Sequence, residues 1–158
     1  MPCTDCVGET IGWGPTGGLV AYNESSALSP CRTFTHVRTA AGEPGPDKQC
    51  SVEIGGCDTE TDGLHALETA LAHPDVTAAF AGSVPVYGTD PRPCDGSVLA
   101  ITRGDKTILV GGDCGTGTSC IQGQQCTEVP AGVRALADAL AAVELAAMKK
   151  PDCSSVFP

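Results

Sequence analysis

Ten cysteines in a chain of 158 residues constrain the fold more than any other feature. They stand at Cys3, Cys6, Cys31, Cys50, Cys57, Cys94, Cys114, Cys120, Cys126 and Cys153, an even set spread from one end to the other. Such a set serves a metal, a redox reaction or a disulfide framework, and spacing separates the three. Structural zinc sites use paired C-x₂₋₄-C knuckles, because two ligands on one tight turn must reach the same ion. Only Cys3 and Cys6 have that spacing, while Cys114, Cys120 and Cys126 have five residues between each within GGDCGTGTSCIQGQQC, residues 111–126. A redox dithiol wants its first thiolate at a helix N-terminus, whereas CTDC sets Asp5 beside the pair, and a neighbouring negative charge raises a thiol pKa. All ten are therefore disulfide candidates, with no metal and no cofactor expected.

Disulfides imply an oxidising compartment, so the expected location is secreted or cell envelope. They also offset a thin core, because aromatic residues make up only 4% of the chain and burial must come from Ala, Val, Leu and Ile. The length suits a single disulfide-rich domain over residues 1–158, with residues 1–16 read as an extended N-terminal segment pinned by Cys3 and Cys6. A net charge of −10, with no basic cluster beyond Lys149 and Lys150, excludes nucleic acid as a partner. No apolar run reaches the roughly 20 residues of a membrane span. MPCTDCVGET has neither a basic nor an apolar export region, so a removed signal sequence is expected. The alternative, a lipid on Cys3, has no lipobox before it and leaves an odd number of cysteines.

Hydrophobic periodicity predicts the elements. GGLVAY (17–22), CRTFTHVRT (31–39) and CSVEI (50–54) read as strands, the second alternating Phe34 and His36 against Thr33 and Thr35, and the third placing Val52 and Ile54 on one face. TDGLHALETALAH (61–73) reads as a helix with Leu64, Leu67, Ala70 and Leu71 on one face, an N-cap at Thr61 and a stop at Pro74. Asp75 is expected to cap a short turn through VTAAFAG. VPVYGTDPRPCDG (84–96) reads as an ordered surface connection. SVLAIT and TILVG form a hairpin over 97–111 with its turn at Gly104 and Asp105. Pro130 opens a long helix with apolar positions 133, 136, 137, 140, 143 and 147, which Pro151 ends. The order predicts an α+β domain: an antiparallel sheet of about four or five strands, with a central helix and a long C-terminal helix packed on one face.

Catalytic signatures do not assemble. GGDCGTGTS lacks the Lys of a phosphate-binding loop, and no G-x-S-x-G or H-E-x-x-H occurs. Asp58, Glu60, Asp62 and Gly63 imitate the start of a calcium loop, but the twelfth position is Thr69 where a bidentate carboxylate is required, so the acidic stretch is read as a helix N-terminus. His65 and Glu68 read as a surface ion pair. Arg103-Gly104-Asp105 follows from turn chemistry, and Asn23-Glu24-Ser25 is a formal glycosylation sequon. Trp13 is a core plug or an exposed binding anchor. With Trp13, the candidate binding residues are Gly115, Thr116 and Gln124 of the cysteine-rich loop.

GWGPTGGLVAYNESSALSPCRTFTHVR, DPRPCDGSVLAITRG and CTEVPAGVRALADALAAV resemble cysteine-rich exported proteins and lipoproteins of high-GC bacteria. The layout of about two-thirds of the chain is also similar to the emfourin-type inhibitors of thermolysin-like metalloproteases. That similarity rests on GG at 17–18 and P-x-x-V-x-x-L at 130–136. It implies a non-enzymatic binding protein with a protein partner, a secreted protease, whose cleft takes an N-terminal segment or a sheet-side loop. Two alternatives stand beside it: a structural or self-assembling envelope protein that binds copies of itself through edge strands, and a redox or metal-dependent enzyme with free cysteines.

Overall fold

The computed structural model describes residues 8–17, 22–40, 47–55, 61–115 and 123–158. Ile11 and Trp13 alternate with Gly12 and Gly14, and this alternation makes Ile11–Thr16 a strand (β1) rather than a trailing segment. The remaining strands are Tyr22–Leu28 (β2), Thr33–Ala40 (β3), Lys48–Glu53 (β4), Val98–Arg103 (β5) and Lys106–Val110 (β6). They form one antiparallel sheet in the order β4-β3-β2-β1-β5-β6, one strand more than the upper expectation. The first strand is thus central. Pro15 has no N–H to give a ladder, and pairing with β2 has ended by Trp13↔Ser26, so β5 alone holds that end of β1. Of the expected 17–22 strand, residues 18–21 lie outside the described residues, and β2 begins at Tyr22.

Among the described residues, four α-helices carry the helical period: Leu64–Leu71 (α1), Pro74–Ala81 (α2), Ala131–Met148 (α3) and Pro151–Ser154 (α4). Leu64, Leu67 and Ala70 of α1 and Val133, Leu136, Leu140, Val143 and Ala147 of α3 are buried, as their spacing predicts. They pack with Ile11, Trp13, Leu28, Phe34, Ile101 and Ile108 from one face of the sheet. The result is a two-layer α+β architecture.

Three local expectations change. Thr61 does not cap α1: residues Thr61–Gly63 form a 3₁₀ turn, with Asp62 and Gly63 at φ 55° and 79°. The Asp62 carboxylate accepts from the Gly55 N–H at 3.0 Å and meets Lys150 at 3.2 Å, so tertiary contacts set that turn. Asp75 does not cap its own helix. His73 does, its Nδ1 accepting from the Asp75 N–H at 3.1 Å, while the Asp75 carboxylate crosses to accept from the Gly132 N–H at the start of α3. Glu68 pairs with Arg32 at 3.5 Å rather than with His65.

Every described cysteine is disulfide-bonded. Cys50 in β4 joins Cys153 in α4 across 103 residues, fastening the C-terminus to the sheet edge. Cys114 joins Cys126 across 12 residues and closes the loop between β6 and α3. Cys31 and Cys94 are bonded too, while Cys3, Cys6, Cys57 and Cys120 lie outside the described residues.

Candidate functional site

Phe34 faces the core, and a strand repeats its facing every two residues, so His36 faces inward as well. It is 5% exposed and stacks between Phe34 and the edge of Phe157. Ser26 lies directly opposite it across the β2–β3 ladder, and its hydroxyl oxygen is 2.8 Å from His36 Nδ1. The same hydroxyl donates to the Glu144 carboxylate from α3. Glu24 approaches His36 Nε2 at 3.6 Å and accepts from Arg38 Nε at 2.7 Å. Arg38 then lies over the Phe157 ring, 5.1 Å from its centroid.

The hydrogen bond to Glu144 raises the His36 pKa above its ordinary 6.5 despite burial, and the bond from His36 lowers that of Glu144. The His36 ring thus sits between two carboxylates that favour its charged form. A nucleophilic serine must pass its proton to a neutral imidazole and reach a substrate. Ser26 gives its proton to a carboxylate, accepts from Nδ1–H and is 3% exposed. The Ser-His-Glu set is a clasp between sheet and helix, beneath a groove of about 470 Å³ edged by Leu145 and Met148. The sequence signal for it was the phase of His36 with Phe34, which places a titratable ring on the buried face.

The second constellation is the base of the Cys114–Cys126 loop. Tyr87 is buried against the outer edge of β6, its N–H donating to the Leu109 carbonyl at 2.8 Å and its carbonyl accepting from the Gly111 N–H at 2.7 Å. Thr89 N–H then donates to Gly112 and Gly88 N–H to Thr127, each at 2.7 Å, so one short segment grips both stems of the loop. The grip depends on glycine. A Cβ on Gly88, at φ 83°, meets the Gly112 carbonyl oxygen at 2.2 Å, and one on Gly111 meets that of Thr89 at 1.8 Å. Arg134 from α3 donates to the Gly111 carbonyl and to Asp113, both at 2.9 Å. Asp90 and Arg92 form a bidentate pair at 2.8 Å that holds the Asp90 carboxyl below its usual range.

The expected binding residues divide between these regions. Gln124 is at the loop base, its amide donating to the Asp90 carbonyl at 3.3 Å, and it lines a cleft of about 250 Å³ with Pro85, Val86, Gly88 and Thr127. Gly115 is exposed at φ 80°, directly after Cys114. Thr116 lies outside the described residues, as do Asp58 and Glu60 of the acidic stretch. Trp13 is a core residue, 6% exposed with its ring 6.0 Å from that of Phe34, which corrects the exposed-anchor alternative. Arg103 meets Glu9 at 3.6 Å, and Gly104, at φ 61°, makes the hairpin turn. The grip of Tyr87 and Thr89 on the loop was not legible beforehand, because three prolines in 84–96 mask its strand-like pairing. No protein-family profile and no curated protein matches the chain. No helix among the described residues is long and apolar enough to cross a membrane.

Proposed function

We propose that this chain is a non-enzymatic extracytoplasmic binding protein that inhibits a secreted protease through the sheet-side loop between β6 and α3. The observation that carries the reading is the double anchoring of that loop, with the Cys114–Cys126 bridge across its ends and the Tyr87–Thr89 segment bonded to both stems. A loop whose stems are fixed before binding loses less entropy when it binds. A loop that is cross-linked also resists the chain opening that proteolysis requires. The resemblance of the layout to emfourin-type inhibitors points to thermolysin-like metalloproteases as the partner class. The closed hydrogen bonding of Ser26, His36 and Glu144 supports a role without catalysis.

Residual peptidase activity across a panel of secreted proteases, thermolysin-like enzymes included, tests the proposal. Loss of activity at near-stoichiometric protein is expected for at least one member. Full activity across the panel at large molar excess overturns it.

A further inference from the structure

The two stems of the Cys114–Cys126 loop are not equivalent, because the segment that grips them lies between them. Tyr87 and Thr89 turn their backbone groups toward β6 and the first stem, at Leu109, Gly111 and Gly112, while Gly88 turns its N–H the other way, to the Thr127 carbonyl. The carbonyls of the first stem are all engaged: Gly111 and Asp113 accept from Arg134 and from the Thr89 hydroxyl, and Gly112 accepts from the Thr89 N–H. The second stem is therefore the outer layer at this end of the sheet, beyond β6 and the 87–89 segment.

Thr127 bridges to Tyr87 and Gly88, so its own backbone groups face inward. Extended backbone presents its hydrogen-bonding groups to alternate sides residue by residue, so Cys126 and Glu128 turn theirs outward. Among the described residues, neither has a partner for its N–H or its carbonyl. Gln125, Cys126, Thr127 and Glu128 are all exposed. When extended they span roughly 13 Å. The stretch is held from its inner side, by the bridge to Cys114, the bond between Gly88 and Thr127, and the Gln124 amide on the Asp90 carbonyl. An extended edge held in this way is a template for another strand, with main-chain hydrogen bonds supplying the affinity. The chain carries −10 overall, yet Glu128 is the one charge in this stretch, so a partner strand can pair along it while facing a single carboxylate.

Resting on the loop reading above, we infer that residues 125–128 are the segment the peptidase recognises, adding as a strand to the edge of its cleft through the outward backbone of Cys126 and Glu128. Recognition then falls on the main chain of the second stem, and the first stem serves as its support.

Amide hydrogen exchange tests this mode, read by NMR on the full ¹⁵N-labelled chain, free and bound to the thermolysin-like metalloprotease it inhibits. The Cys126 and Glu128 amides are expected to slow at least roughly tenfold in the complex, while Asp105, at the far end of the β5–β6 hairpin, keeps its rate. Glu128→Pro removes an outward N–H that has no acceptor among the described residues, and Thr127 before it already has the extended pairing that a following proline requires. With the native circular-dichroism spectrum retained, this variant is expected to weaken inhibition at least roughly tenfold, whereas Glu128→Ala, which keeps the N–H, stays within about threefold of native. If the proline variant loses that spectrum, the exchange rates decide alone. Inhibition with Cys126 and Glu128 exchanging at their free rates overturns the inference and leaves the loop reading intact, as does undiminished inhibition by a folded proline variant. Absence of inhibition by the native chain across the protease panel overturns both.

Discussion

At the scale of single residues, His36 and Glu144 tie stability to pH in two opposite directions. The His36 pKa is raised by folding, so its contribution is fully present below its ordinary 6.5 and disappears as pH climbs through the raised value. The Glu144 pKa is lowered, so its contribution is present above its ordinary 4.5 and disappears as pH falls through the lowered value. Glu24 and Arg38 face the same ring from β2 and β3. Urea unfolding across a pH series is expected to show a plateau between 4.5 and 6.5 with a fall on each side. His36→Gln is expected to flatten the alkaline fall, and an unchanged alkaline limb contradicts the clasp. Glu144→Ala leaves the buried Ser26 hydroxyl without its acceptor and removes one of the two carboxylates beside His36, and is expected to cost about 1–3 kcal/mol. Gly132 poses a steric test of the helix junction. A Cβ there meets His73 Nδ1 at 2.3 Å and Asp75 Cβ at 2.8 Å. Gly132→Ala is expected to destabilise by about 1–3 kcal/mol in the same assay, despite alanine's better helix propensity.

At the scale of elements, α4 is too short to hold itself in place. Its four residues gain position from the bridge between Cys153 and Cys50, both buried. Replacing both with Ala is expected to lower stability by about 2–5 kcal/mol, read as a fall in unfolding midpoint, and to weaken the contact of Phe157 with His36. An unchanged midpoint means that the C-terminal turn packs without its staple. The elements differ in how openly the sequence declares them. Helix α3 and the β5–β6 hairpin are legible because their apolar residues repeat at one clear period and a turn or proline bounds them. Strand β1 is hidden because Gly12, Gly14 and Pro15 are poor strand residues, and only its place between β2 and β5 makes it one. The 84–90 segment is hidden for a related reason, its pairing being with a distant strand and loop stem. The caps of α1 and α2 follow from contacts with Gly55, Lys150 and Gly132, which no local pattern records. Likewise, residue type placed Cys114 and Cys126 in disulfides, but their pairing is a property of three-dimensional proximity.

At the scale of the whole molecule, a thin aliphatic core is supplemented by a framework of bridges in a strongly acidic chain, so covalent staples hold the shape together with packing. Its two layers put the helices on one side, the sheet on the other, and the anchored loop at the edge between them. The central claim is that the Cys114–Cys126 loop acts as a preorganised inhibitory element. It is tested most directly by titrating a thermolysin-like metalloprotease with the native protein and with the Cys114→Ser, Cys126→Ser double variant, reading residual peptidase activity. The account predicts loss of activity near equimolar native protein and inhibition weakened at least roughly tenfold when the loop is open. Peptidase activity untouched by the native protein at any ratio contradicts it, as does equal inhibition by the two forms.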